Sequence, residues 1–240
     1  MKRQIVQTII KKFLPQSHRR ENIRNWLCSD LTFDTVYKIC KNNNINIKTI
    51  FDVGASDGSW SVAAQKKFKK SKFVLFEANT NYRKDLDNSG FEYFSYVLAQ
   101  KTQERLFWKA DGHGDSLYQD KSEKYKNIVP ISVQAHALDD VIRENSIPIP
   151  DLLKIDTQGS EIEILLGAKG VLDEINFLYL ECPMFNYNEG SPDISEYLRV
   201  TSAYNFIPCQ IGEIHRTATN YLLQLDILFV KSNLIATNAY

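Results

Sequence analysis

Apolar residues along this chain follow two spacings, and the changes between them mark out its elements. In residues 4–14, Ile5, Val6, Ile9, Ile10, Phe13 and Leu14 recur at helical spacing beside Lys2, Arg3, Lys11 and Lys12, and Pro15 stops the pattern. A second helix is predicted over about 31–42, with Leu31, Phe33, Val36, Tyr37 and Cys40 facing inward, before the polar break at residues 42–46. Short apolar runs then alternate with helical stretches. Strands are predicted at 48–53, 72–77, 151–156 and 175–181, each leading to a helix, at about 58–68, 80–88, 160–168 and 193–204. Between them, 92–98 is expected to pair with 104–109, 127–135 to be extended, and Leu138 to Asn145 to be helical. Two late strands near 206–212 and 221–231 read as an antiparallel hairpin at one edge. This order implies an α/β fold whose mostly parallel sheet carries helices on both faces. It divides the chain into an N-terminal helical extension (1–46), a main domain (47–232) and a C-terminal tail (233–240).

Composition narrows the class. The 240 residues carry 29 Lys plus Arg against 29 Asp plus Glu, so no overall field draws nucleic acid to the chain. The neutrality is uneven: residues 1–24 hold seven Lys or Arg and one acid, Glu21. A basic amphipathic helix over residues 1–15 suits peripheral contact with an anionic membrane, or equally packing against the main domain or a second copy in a homo-oligomer. Cys28, Cys40, Cys182 and Cys209 are dispersed, with no metal-ligand spacing, which suits free thiols in the cytoplasm or at the inner face of its membrane. No apolar run approaches the roughly 20 residues of a membrane helix, and no signal peptide is expected.

The chemistry gathers at three strand ends. After Ile50-Phe51-Asp52-Val53 comes the small-residue loop Gly54-Ala55-Ser56-Asp57-Gly58, with Ser61 in the next helix. A dinucleotide site uses G-x-G-x-x-G because a pyrophosphate lies on that backbone. This loop is G-x-x-x-G, and its acids Asp52 and Asp57 would repel a pyrophosphate but suit a zwitterionic methionine tail beside a sulfonium. Glu77, at the end of the next strand, is a bidentate acceptor for two ribose hydroxyls, and Ala78 and Asn79 follow where an adenine edge would lie. These features favour S-adenosylmethionine (SAM). Lys154-Ile155-Asp156-Thr157-Gln158-Gly159-Ser160-Glu161 ends the central strand at the switch point, where open α/β sheets bind ligands. Asp156 would face the reactive end. Glu161 is either catalytic or a helix-start acid favoured by the dipole, and Lys154 is open to a structural ion pair.

Taken in order, the segments from Phe51 to Gly58, Phe76-Glu77-Ala78, Asp115-Ser116-Leu117, Leu138-Asp139-Asp140, Lys154 to Glu161 with Gly167-Ala168, and Leu180-Glu181 resemble the FkbM family of SAM-dependent methyltransferases over about 48–231. The resemblance implies a Rossmann-like class I methyltransferase fold, with a mostly parallel seven-stranded sheet, an antiparallel edge hairpin and extra N-terminal helices. It implies O-methylation of a saccharide or other polyhydroxylated product. It also implies that Asp52, Gly54 and Glu77 hold SAM, that Ser116 and Asp139 lie on the cofactor side of the cleft, and that Asp156 and Glu161 lie near the transferring methyl. Two positions depart from the family pattern. Ser56 stands where Asn is common, and His136 stands near a usual Thr.

The expected reaction is in-line displacement at the sulfonium methyl, with Asp156, Glu161 and His136 as proton acceptors in that order of preference. A Mg²⁺ ion on Asp156 is an open alternative without a dedicated metal spacing to support it. The aromatics between 179 and 206, the loop Pro183–Gly190 and the glycines of residues 111–115 are candidate covers for the crevice, and Glu181 is a candidate ligand for a substrate hydroxyl. A nucleic-acid amino-methylating enzyme is disfavoured because no Asp/Asn-Pro-Pro-aromatic run follows the central strand. A SAM-binding module without catalysis is the competing non-enzymatic reading.

Overall fold

The computed structural model describes residues 31–110, 114–123, 125 and 127–235. The expected helix over 4–14, the membrane contact of residues 1–15, Cys28 and residues 111–113 of the glycine loop lie outside the described residues.

Residues 31–43 are helical (α1). The elements that follow are β1 (Thr49–Val53), α2 (Ser59–Gln65), β2 (Lys72–Phe76), α3 (Arg83–Ser89), β3 (Glu92–Phe94), β4 (Val97–Leu98), β5 (Gln103–Phe107) and β6 (Ile131–His136). Then come α4 (Leu138–Asn145), β7 (Leu152–Ile155), α5 (Glu161–Gly167), β8 (Phe177–Pro183), α6 (Ile194–Ala203), β9 (Phe206–Arg216) and β10 (Leu222–Lys231). The main sheet has seven strands in the order β3-β2-β1-β7-β8-β10-β9. Every neighbour pair is parallel except those that β10 makes with β8 and β9. This is the mostly parallel sheet, with helices on both faces, that the alternation predicts.

The central strands are continuous apolar runs because both of their faces are covered. Phe51 and Val53 pack with Leu138 and Val141 of α4, Leu165 of α5 and Tyr197 of α6. Ile50, one residue out of phase, packs on the opposite face with Phe33 and Val36 of α1 and Ala64 of α2. Two expected inward positions of α1, Leu31 and Tyr37, are 52% and 49% exposed, so the buried stripe is narrower than the spacing suggests.

The strands differ from expectation in two places. The run 92–98 divides: β3 joins the main sheet beside β2, and β4 leaves it for a three-stranded sheet ordered β4-β6-β5. The partner of β5 is therefore β6, antiparallel, and not 92–98. That small sheet is tied to α5 by Arg105, whose guanidinium pairs with both oxygens of Glu163, and by Tyr118, whose hydroxyl donates to Glu163 Oε1 at 2.6 Å. The late hairpin inserts β10 inside the sheet and leaves β9 at the rim. The reason is compositional. The run Ile227-Leu228-Phe229-Val230 is buried on both faces, whereas β9 carries Pro208 and charged residues, which suit an edge.

Candidate active site

The cleft opens at the carboxyl ends of β1 and β7, where the strand order reverses. Gly54 permits it. Its φ is +73°, and a Cβ there would lie 1.8 Å from the carbonyl oxygen of Asp156, so only glycine lets the β1 and β7 turns come this close. The N–H groups of Gly54 and Ala55 both donate to Phe76 O, at 2.9 and 3.2 Å, which ties the loop to the end of β2. Gly58, at φ +78°, starts α2, and Asp57 accepts from Ser59 N at 3.0 Å on the exposed side of that turn.

Glu77 is held for ligand binding by backbone donors. Ser56 N–H donates to Oε2 and Asn79 N–H to Oε1, each at 2.7 Å, leaving a lone pair on each oxygen for a further donor. Burial pushes this carboxyl above its ordinary range, against those two donors. Asn79 is itself buried and accepts from Asn81 N at 3.0 Å. Ala78, Tyr82, Tyr96, Leu98 and Phe107 complete an apolar wall beside Glu77.

Asp52 lies beneath the loop rather than on the cleft surface. It is fully buried, accepts from Ser61 Oγ at 2.7 Å, and pairs with Lys154 Nζ at 2.9 Å. Lys154 also donates to Gly54 O at 3.1 Å and stands 3.4 Å from Asp156 Oδ2. Burial works against this ammonium, but Asp52 and Asp156 outweigh it and hold Lys154 above the usual lysine range. Asp52, Ser61 and Lys154 thus brace the loop from below. The ion pair left open for Lys154 is there.

Asp156 lines the cleft with its side chain 38% exposed. Glu161, five residues on, is fully buried. It accepts from Thr157 N at 2.7 Å, from Gly159 N at 3.0 Å and from the hydroxyl of Tyr197, so it closes the β7–α5 turn and does not face the cleft. His136 also lies outside the lining, with its ring 4.6 Å from that of Tyr96. Asp139 is turned away too, accepting from Gly170 N at 2.8 Å. Ser116 does line the cleft, and its hydroxyl donates to Gln158 O at 2.8 Å.

Beyond Asp156, Gln158 lines the cleft with a buried polar network behind it. Gln158 adopts φ +56° and donates from Nε2 to Glu181 Oε2 at 2.8 Å. Gln224 Nε2 donates to the other oxygen of Glu181, and Tyr187 OH donates to Gln224 Oε1 at 2.8 Å. Burial, followed by the nearby carboxylates of Asp156 and Glu161, raises the Glu181 carboxyl well above its ordinary range. Of the aromatics expected over the crevice, Tyr179, Tyr197 and Phe206 belong to the core, while Phe185 and Tyr187 stand on the loop after β8. Tyr96, Phe107 and Ser160 are cleft residues that reading the sequence missed. Tyr96 and Phe107 carried no local signal, whereas Ser160 stood inside the Lys154–Glu161 motif.

The residues fit SAM. Ser56 Oγ and Ser160 Oγ are buried at the cleft without a partner among the described residues, and Glu77 keeps two acceptor positions. Glu77 would hold the ribose, the wall of Tyr82, Tyr96 and Phe107 the adenine, and the Gly54–Ser56 loop the methionine end. Asp156 is not part of the grouping of metal-type ligands found among the described residues, Glu213, His215 and Asp226 on the β9–β10 hairpin.

The sequence profile of the methyltransferase FkbM domain matches residues 52–208. The chain belongs to the FkbM methyltransferase family. It is a SAM-dependent methyltransferase, and the braced Gly54 loop and Glu77 sit within the matched span. The chain is similar to the 2-O-methyltransferase NoeI of Sinorhizobium fredii, 24% identical over 176 residues, covering 66% of this chain and 72% of NoeI. Among solved structures, the chain is similar to magnesium protoporphyrin IX methyltransferase of Synechocystis with bound SAM (TM-score 0.48, 8% identity, 91% of this chain and 86% of that one). It is also similar to the precorrin-6y C5,15-methyltransferase of Geobacter metallireducens (TM-score 0.46, 10% identity, 84% and 86%).

Proposed function

We propose that this FkbM methyltransferase transfers the SAM methyl group to a hydroxyl of a sugar or similar polyhydroxylated acceptor. The observation that carries the reading is the half-exposed Asp156 carboxylate in the cleft lining beside Gln158, whose side chain is held from behind by the buried network of Glu181, Gln224 and Tyr187. Carboxylates and carboxamides in that density suit an acceptor rich in hydroxyl donors. The similarity to a 2-O-methyltransferase supports transfer to oxygen.

Bound in the cleft, SAM supplies an electrophilic methyl on a sulfonium. Asp156, which lines the cleft, would receive the proton released by the acceptor hydroxyl as it takes that methyl. Lys154, 3.4 Å away, orients that carboxylate. Such a positioned base contributes on the order of 10²–10⁴ in rate. Cys40, Cys182 and Cys209 are free thiols, which supports a cytoplasmic location, and no helix among the described residues is long and apolar enough to cross a membrane.

The test is methyl transfer from isotopically labelled SAM to a panel of uncharged glycosides, followed by mass spectrometry. A labelled methyl ether on the sugar, lost in Asp156→Asn while SAM binding persists, supports the reading. Labelling confined to nitrogen, or to acceptors that are not polyhydroxylated, overturns it.

A further inference from the structure

A second cavity adjoins the cleft. It holds about 180 Å³ and is lined by Gly114, Asp120, Tyr125, Gln158 and Asn188. Gly114 and Gln158 line the cleft as well, so the two spaces meet at the Gln158 side of Asp156. That is smaller than the roughly 300–1,000 Å³ of pockets that take drug-sized ligands, which limits it to about one ring of an acceptor.

The cavity is built by segments far apart in sequence. Residues 116–121 run between the end of β5 and the loop after β8. On one side Trp108 and Ser116 exchange backbone bonds at 2.9 and 3.1 Å. On the other, Lys121 N donates to Tyr187 O at 3.2 Å and Glu189 N to Gln119 O at 2.8 Å, around the Asp120–Asn188 bridge. Gly114 leaves space for Tyr125, whose ring would meet a Cβ there at 3.2–3.4 Å. Gln158, in its left-handed conformation, receives Ser116 Oγ and Asn188 Nδ2 on one carbonyl oxygen, at 2.8 and 2.6 Å. The floor and the two covering segments are thereby joined through one residue.

Asn188 marks the space as a ligand site. It is 2% exposed, its Nδ2 is engaged by Gln158, and its Oδ1 has no donor among the described residues. A buried carbonyl oxygen without a donor pays its desolvation uncompensated, and a ligand hydroxyl would remove that cost. The lining combines an aromatic ring, a carboxylate and two carboxamides. A pyranose needs that set: a C–H face to lie on the ring and adjacent hydroxyls for the planar acceptors. The carboxylates of Asp120 and Asp156 would repel an acidic or phosphorylated ring.

We propose that this cavity is the subsite for an uncharged pyranose ring of the acceptor, with Tyr125 under the ring and Asp120, Gln158 and Asn188 taking its hydroxyls. The proposal rests on the sugar-hydroxyl reading and adds which residues hold the ring.

The test uses the full chain loaded with S-adenosylhomocysteine, the demethylated product, and saturation-transfer NMR with methyl glucoside, methyl galactoside and methyl mannoside, with methyl glucuronide as the charged probe. At least one uncharged glycoside should bind, and the glucuronide should bind more weakly. Tyr125→Ala, Asp120→Asn and Asn188→Ala should each weaken that glycoside by about tenfold or more while S-adenosylhomocysteine affinity stays within about twofold. Tyr125 and Asp120 are partly exposed, so their variants keep the test decisive if Asn188→Ala misfolds. Glycosides that bind and are methylated, yet keep their affinity in the Tyr125 and Asp120 variants, would overturn the subsite alone. If no glycoside binds the loaded protein, the sugar reading itself falls, and the subsite with it.

Discussion

The two halves of the cleft are built by different means. On the cofactor side, the turns after β1 and β2 shape the site with backbone groups: Gly54 and Ala55 N–H on Phe76 O, and Ser56 and Asn79 N–H on Glu77. On the acceptor side, side chains from β7, β8 and β10 and from two covering segments meet in a network around Gln158 and Glu181. The first half depends on conformations that a few adjacent residues dictate. The second depends on the sheet order that brings residues 158, 181, 188 and 224 together.

The largest test of this contrast is Gly54→Ala. The added methyl meets the Asp156 carbonyl and forces a positive φ on alanine, so a loss of about 2–5 kcal/mol is expected, seen in thermal unfolding, together with loss of SAM binding. A variant that melts and binds like the parent would show that the turns are not in contact.

Glu77→Gln keeps the shape and removes the charge that two ribose hydroxyls would meet. SAM affinity measured by calorimetry should fall on the order of 10–100-fold, from charge-assisted bonds worth about 1.5–3 kcal/mol each. Unchanged affinity would remove Glu77 from the cofactor half.

Tyr197→Phe strips the hydroxyl from buried Glu161. If Glu161 only closes its turn, stability should drop by about 1–3 kcal/mol while kcat in the surviving fold changes little. A large fall in kcat with normal stability would return Glu161 to the reaction.

A smaller effect concerns pH. The folded pKa of Glu181 is raised, so the folded state holds this proton more tightly than the unfolded chain does. Its stabilising contribution is full below the ordinary carboxylate pKa, near 4.5, and is lost as pH rises through the higher folded value. The parent should therefore lose more thermal stability between pH 5 and pH 8 than Glu181→Gln does. Equal slopes would mean that Glu181 is better solvated than its burial indicates. The smallest effect is expected for His136→Ala, which should leave methyl transfer within about twofold of the parent because the ring rests on Tyr96 outside the cleft.

What could be read in the sequence was local. Continuous apolar runs marked β1, β2, β7 and β8, and the turns after them exposed Gly54, Glu77 and Asp156, because a parallel strand and its carboxyl-end turn occupy adjacent residues. The same reasoning left Glu161 as a site candidate, and the family resemblance added His136 and Asp139, since neither spacing nor a motif says which way a side chain turns. Tertiary packing answered that: Glu161 points into its own turn toward Tyr197, Asp139 toward Gly170 and His136 toward Tyr96. It also divided the run 92–98 between two sheets, set β10 inside β9, and drew Gln158, Glu181, Asn188 and Gln224 to one wall. Those side-chain contacts join residues up to 43 positions apart, Glu181 with Gln224, and no periodicity in a sequence encodes a meeting that only the stacking of strands produces.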